Sequence, residues 1–190
     1  MSRKTPLLQS SGRYFHAFNR GVNREPIFFR EQDYRLFTRL IQQSLSGIQF
    51  VILNYALMPN HFHFTVRQDT PYAMATFFQR LCDKYAKTIN FIEGRVGHLF
   101  QGGYQPIPID APRDLYTLSR YIHLNPVAAH LVSNPNDWEF SSCREYCGLR
   151  ESSFVDPSII IEPMGGTNGY HENLMLGEGD QSILNLLKED

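Results

Sequence analysis

The sequence predicts a mixed α/β domain in which strands and helices alternate, and three observations carry that reading. Residues 48–57 (IQFVILNYAL) are apolar and β-branched, while residues 61–66 (HFHFTV) alternate strictly, so the pair reads as a hairpin broken at Met58-Pro59-Asn60. Two segments, 31–45 and 72–92, repeat their apolar residues at three- and four-residue steps. The 190 residues, 42% hydrophobic and 13% aromatic, suffice for one domain with a substantial core and exclude a wholly disordered chain.

In chain order, residues 13–18 (RYFHAF) suit a short aromatic strand that ends at the Asn19-Arg20-Gly21 turn. Phe37, Leu40, Ile41 and Leu45 fall on one face of the helix predicted over 31–45, whose first turn is acidic. In the longest helix, 72–92, Phe78, Leu81, Tyr85, Ile89 and Ile92 form one stripe that ends near Gly94 and Gly97. Residues 98–109 are extended and turn-rich. Residues 112–124 suit a helix opened by a proline and closed by Asn125-Pro126. Trp138, Phe140 and Tyr146 complete the packed body, and beyond Gly148 the chain turns rich in Gly, Ser and acid.

Composition narrows the function classes. No apolar run approaches the roughly 20 residues that span a bilayer, and the first ten residues lack a secretory h-region. Three cysteines, Cys82, Cys143 and Cys147, are too few for a disulfide framework and read as buried small hydrophobes, so a reduced cytoplasmic setting is expected. The formal net charge of −1 conceals an asymmetry: residues 1–148 carry +5 and residues 149–190 carry −6. A mildly basic, arginine-rich body permits a nucleic-acid partner.

His61-Phe62-His63 is the sharpest chemical feature. Strand positions two apart share a face at roughly 6–7 Å, so both imidazoles can meet one divalent cation while Phe62, Phe64 and Val66 hold the register in the core. Polar strand surface is the alternative. Tyr85 is the candidate to act beside such a cation: a phenol is a weak nucleophile at its usual pKa, but it can attack a polarised phosphate. Core packing beside Leu81 and Ile89 is the competing role for Tyr85.

Several motifs occur in one order: Asn19 to Arg24, MPNHFHF at 58–64, Lys84-Tyr85-Ala86 with Asn90-Phe91, Gly97 to Gly102, Tyr121 to Pro126, and Trp138 to Ser142. Together they resemble the REP-associated tyrosine transposases of the single-tyrosine HUH superfamily, over about residues 13–148. The resemblance implies a ferredoxin-like, RRM-like fold, an antiparallel sheet with flanking helices. It implies Mg²⁺ or Mn²⁺ on His61 and His63, and Tyr85 as nucleophile. It further implies that single-stranded DNA hairpins are cleaved to a 5′-phosphotyrosine with release of a 3′-OH, for strand transfer in transposition. The protein would then sit with the nucleoid when bound to DNA. It would act as a monomer, with a helix-exchanged dimer as the alternative.

Relatives place a polar metal ligand about one turn past the nucleophile, where this chain has Ile89; Asn90 is the nearest replacement, with Thr88, Gln101 or water as others. Basic residues common in relatives are replaced by Gly103 and Gln105. Arg20, Arg24, Arg95, Arg113 and Arg120 are the candidate phosphate partners, and Tyr104 and Tyr121 could stack on bases or simply pack. His123 reads as a helix-capping or core histidine. The departures leave a non-catalytic hairpin DNA- or RNA-binding module, or a metal phosphodiesterase that uses water, as alternatives. Residues 149–190 are expected to form an acidic tail, partly ordered at best, that folds over the DNA groove and competes with phosphate.

Overall fold

A computed structural model describes residues 9–110 and 112–176, with the side chains of residues 112, 113 and 176 left aside. Strand β1 spans Arg13–Arg20, β2 Phe50–Met58, β3 His61–Gln68 and β4 Gln105–Ile109; helix α1 spans Glu31–Leu45, α2 Ala73–Ile92 and α3 Pro112–Ala128. The first six elements run β-α-β-β-α-β, and the sheet order is β2-β3-β1-β4 with every neighbouring pair antiparallel. This is the expected ferredoxin-like arrangement.

Alternation along β3 decides which side of the sheet is which. Phe62, Phe64 and Val66 are fully buried in the main core with α1 and α2. The opposite face carries His61, His63 and Thr65, flanked across β1 by Arg20, Phe18 and His16 and across β2 by Met58, Ala56 and Asn54. Helix α3 covers that second face, where Leu118 and Ile122 pack on Ala56 with Ile109 and Tyr121 at their margin. The molecule is therefore three layers, with α1 and α2 on one side of the sheet and α3 on the other.

Local chemistry sets the element ends. Asp33 accepts from the backbone N–H groups of Phe29 (2.8 Å) and Arg30 (2.9 Å), satisfying orphan donors where α1 begins. The helix expected to close at Asn125-Pro126 runs on to Ala128. Pro126 sits in its last turn, and the chain leaves the helix at His130, with φ of 57°. Residues 98–104 form no strand except a single bridge between Gly21 and Phe100.

The segment expected to be partly ordered at best is built in as far as it is described. After the short helix α4 (Cys143–Tyr146), α5 covers Ser158–Ile161 and α6 covers Gly166–Leu176. Val155, Ile160, Tyr170 and Leu174 are buried in the main core. Residues 177–190, with the rest of the proposed strap, lie outside the described residues. Among the described residues no helix is long and apolar enough to cross a membrane.

Candidate active site

The two histidines line a cleft of about 190 Å³ together with Phe18, Arg20, Arg24, Asn60 and Tyr121. The β2–β3 hairpin supplies His61 and His63, and their rings lie edge to face at 4.8 Å. Strand β1 supplies Phe18 and Arg20, opposite His63 and His61 respectively. The turn after β1 supplies Arg24. Gly21 makes that turn possible, because a Cβ there would lie 2.1 Å from the Glu25 carbonyl oxygen. Asn60 ties hairpin to turn by donating its Nδ2 to the Arg24 carbonyl at 3.1 Å.

That bond also fixes the chemistry of His61. With Nδ2 of Asn60 committed, its Oδ1 faces His61 Nδ1 at 2.6 Å and can only accept, so Nδ1 carries the proton and Nε2 keeps its lone pair. His63 Nδ1 lies 2.9 Å from His16 Nε2. Among the described residues no protein group is hydrogen-bonded to Nε2 of either His61 or His63. Burial pushes His61 down to about 4, assisted by the Arg20 charge, and holds His63 well below its ordinary value. Both rings are therefore neutral at physiological pH, the form that ligates metal.

Tyr85 is not brought to this cleft, which overturns its sequence-based placement. Its ring packs against Phe37 (4.7 Å, edge to face) and Phe28 (5.4 Å), on the Phe62 side of the sheet. Its hydroxyl is fully buried and donates to the Ile27 carbonyl at 2.7 Å. Desolvation pushes this phenol far above its usual value, the reverse of what a nucleophile needs. The competing role as a core tyrosine is the one the structure supports.

The tyrosine beside the histidines is Tyr121 of α3, half-buried, with its ring 5.8 Å from that of His63. Asn125 follows four residues later, one turn along the same helix face. A polar residue one turn past the tyrosine is what Tyr85 lacks, since its counterpart there is Ile89. That spacing was the signal in the sequence that favoured Tyr121.

The remaining candidates divide. Arg20 lines the cleft with its Nε donating to Gln101 Oε1 (2.7 Å), and Arg24 lines it with no carboxylate paired to it among the described residues. Arg95 is committed to Glu25 (3.1 Å) and lies over the Phe29 ring, while Arg120 donates to the Leu174 carbonyl of α6. Asn90 and Tyr104 belong to a separate cleft of about 680 Å³ beside α2. There Asn90 donates to the Gly97 carbonyl and Tyr104 stacks on Phe78, so Asn90 is no ligand partner of the histidines. The Arg113 side chain lies outside the described residues. Thr65 lies on the histidine face but is fully buried.

The two imidazole Nε2 atoms on one cleft wall fit a divalent cation with open positions, left for water, phosphate or a further side chain. Among the described residues no group of three or more His, Cys, Asp and Glu could hold a metal, so a closed structural site is not what these residues build.

Comparison with known proteins agrees with this architecture. The fold matches a solved structure of a REP-associated tyrosine transposase bound to a REP hairpin. The TM-score is 0.63 at 16% identity, over 78% of this chain and 93% of that one. A comparison with curated proteins gives no match. The family model described as IS200-like transposase matches residues 9–125, more than half of the chain. That span begins ahead of β1 and ends at Asn125, taking in His61, His63 and Tyr121, and the chain belongs to the IS200-like transposase family.

Proposed function

We propose that this chain cleaves and rejoins single-stranded DNA at hairpins of the REP type, through a transient bond between DNA and Tyr121. The observation that carries the reading is the contact of Tyr121 with His63 across a cleft that also presents Arg20 and Arg24. His61, His63 and Asn125 would hold Mg²⁺ or Mn²⁺, which supplies positive charge against a phosphate oxygen when bound.

The chain's own residues account for the rest. Arg20 and Arg24 neutralise and align the backbone phosphate at the cleft mouth. The Tyr121 oxygen then forms the bond to phosphorus and gives up its proton, while the bond from phosphorus to the 3′-oxygen breaks. That oxygen takes up a proton and departs as a 3′-OH. The reverse attack by a 3′-OH on the tyrosyl phosphate regenerates Tyr121 and joins the strands. Both histidines and Tyr121 come from one chain, so a monomer suffices.

The test is incubation with a hairpin oligonucleotide and Mn²⁺, followed by a denaturing gel and peptide mapping. A covalent band mapping to Tyr121 is expected. Cut DNA without a band would make the protein a hydrolase, and neither product would make it a binding module.

A further inference from the structure

The two cleft histidines are held differently from behind. Asn60 can only accept from His61, so that ring has one tautomer. Behind His63 stands another imidazole, His16, fully buried on β1. Its Nε2 is 2.9 Å from His63 Nδ1, and the ring planes are 18° apart, which suits an in-plane N–H···N bond.

Such a pair has two neutral arrangements. If His16 donates through Nε2, His63 must carry its own proton on Nε2, and no lone pair faces the cleft. If His63 donates through Nδ1, its Nε2 lone pair faces the cleft and the His16 proton moves to Nδ1. His16 Nδ1 and Oγ1 of Thr65, its cross-strand neighbour, are both buried without a hydrogen-bond partner among the described residues. Leaving either unpaired carries a desolvation cost that an apolar side chain would avoid. A pure packing role does not call for histidine here. A proton on Nδ1 needs an acceptor on that side; the cross-strand Thr65 hydroxyl is not hydrogen-bonded to it, so a water bridging the two would serve.

We infer that His16 is a positioning residue for the cation site: it accepts from His63 Nδ1–H and so turns the His63 Nε2 lone pair into the cleft. The inference rests on the reading that His61 and His63 hold a divalent cation. The partner behind a ligating histidine sets which ring nitrogen binds metal, and losing it typically weakens affinity by about 10- to 100-fold.

The experiment is Mn²⁺ binding by the full chain, read from the free-ion EPR signal, in wild type, His61→Ala, His16→Leu and His16→Gln, with a thermal melt of each metal-free protein. Leu fills the space without an acceptor, whereas the Gln Oε1 can stand where His16 Nε2 stands. We expect His61→Ala to lose binding, His16→Leu to bind about 10- to 100-fold more weakly, and His16→Gln to recover to within about threefold. A stability role alone would move the melts without this loss and rescue. Wild-type affinity in folded His16→Leu, or equal losses in both His16 variants, overturns the role of His16 while leaving the cation reading intact. Absence of binding in wild type, or full binding in His61→Ala, overturns both. Should His16→Leu not fold, ¹⁵N spectra of histidine-labelled wild type with Mg²⁺ decide: a proton on His63 Nδ1 is expected, and ligation through Nδ1 overturns the inference.

Discussion

Tyr121 and His63 face each other across one cleft with ring centroids 5.8 Å apart, although 58 residues separate them in sequence. The relationship follows from layering: α3 lies on the sheet face that alternation assigns to His61 and His63, and α2 lies on the face assigned to Phe62 and Phe64. A phenol on α2 would have to cross the sheet to reach the histidines.

Exchanging the two hydroxyls one at a time separates their roles. Tyr121→Phe is expected to abolish the covalent DNA adduct while hairpin affinity stays within a few-fold. Tyr85→Phe is expected to keep the adduct and to lose about 1–3 kcal/mol of stability, because the Ile27 carbonyl loses its buried donor. A denaturing gel and urea melts read both. An adduct in Tyr121→Phe, or its absence from folded Tyr85→Phe, would return the assignment to Tyr85.

The arginines divide by commitment. Arg20 lines the cleft and its guanidinium is held by a neutral amide, whereas Arg95 is already occupied by Glu25 and Phe29. Arg20→Ala should weaken hairpin binding and reduce the slope of log affinity against log salt by about 0.7 for one lost single-strand phosphate contact. Arg95→Ala should leave that slope unchanged. Fluorescence anisotropy between low and moderate salt gives both, and equal slopes for Arg20→Ala and wild type would remove Arg20 from the phosphate path.

Helix α6, in the segment expected to be partly ordered at best, yields a stability prediction. Tyr170 of α6 is fully buried and meets Nδ1 of His123 (2.8 Å) and Oγ of Ser119 (3.0 Å), both on α3. Tyr170→Phe removes one hydroxyl shared by two buried polar groups, so a loss of about 1–3 kcal/mol is expected in a urea titration. Truncation after Arg150 would strip Val155, Ile160, Tyr170 and Leu174 from the core. It should therefore destabilise the domain before any gain in DNA affinity could be read.

What the sequence disclosed tracks the strength of its periodicity. The β2–β3 hairpin and the facing of His61 and His63 were legible because a period of two, with Phe62 and Phe64 buried, leaves one register. The core place of Tyr85 was legible too, since Leu81 and Ile89 share its stripe. The resemblance drew attention to the longest helix, and only the Asn125 spacing spoke for Tyr121. Helix α3 hides its site because it is covered on two sides, by the sheet and by α6, so its polar and apolar residues do not sort into one stripe. Helix α6 reads as tail because GTNGYHENLML buries only isolated large residues, Tyr170 and Leu174, among Gly, Asn and His. His16 gave no signal, since its significance lies in a partner 47 residues away on another strand.

His123 makes the junction of α3, α4 and α6 sensitive to acid. It is fully buried, with Nδ1 at the Tyr170 hydroxyl and Nε2 2.8 Å from Ser142 Oγ, and burial lowers its pKa to about 3. The unfolded chain's imidazole protonates near 6.5. Between those values the unfolded state binds one proton more than the native state, so stability rises with pH there. The contribution is therefore fully present above pH 6.5 and is lost as pH falls toward 3, at up to about 1.4 kcal/mol per pH unit. His123→Gln keeps a polar side chain that never titrates. It should lower stability at pH 7 yet flatten the decline between pH 6 and 4 by about one proton. Urea midpoints of metal-free protein at pH 7, 6, 5 and 4 measure this, and parallel curves for variant and wild type would show that His123 is not the group that fails to protonate.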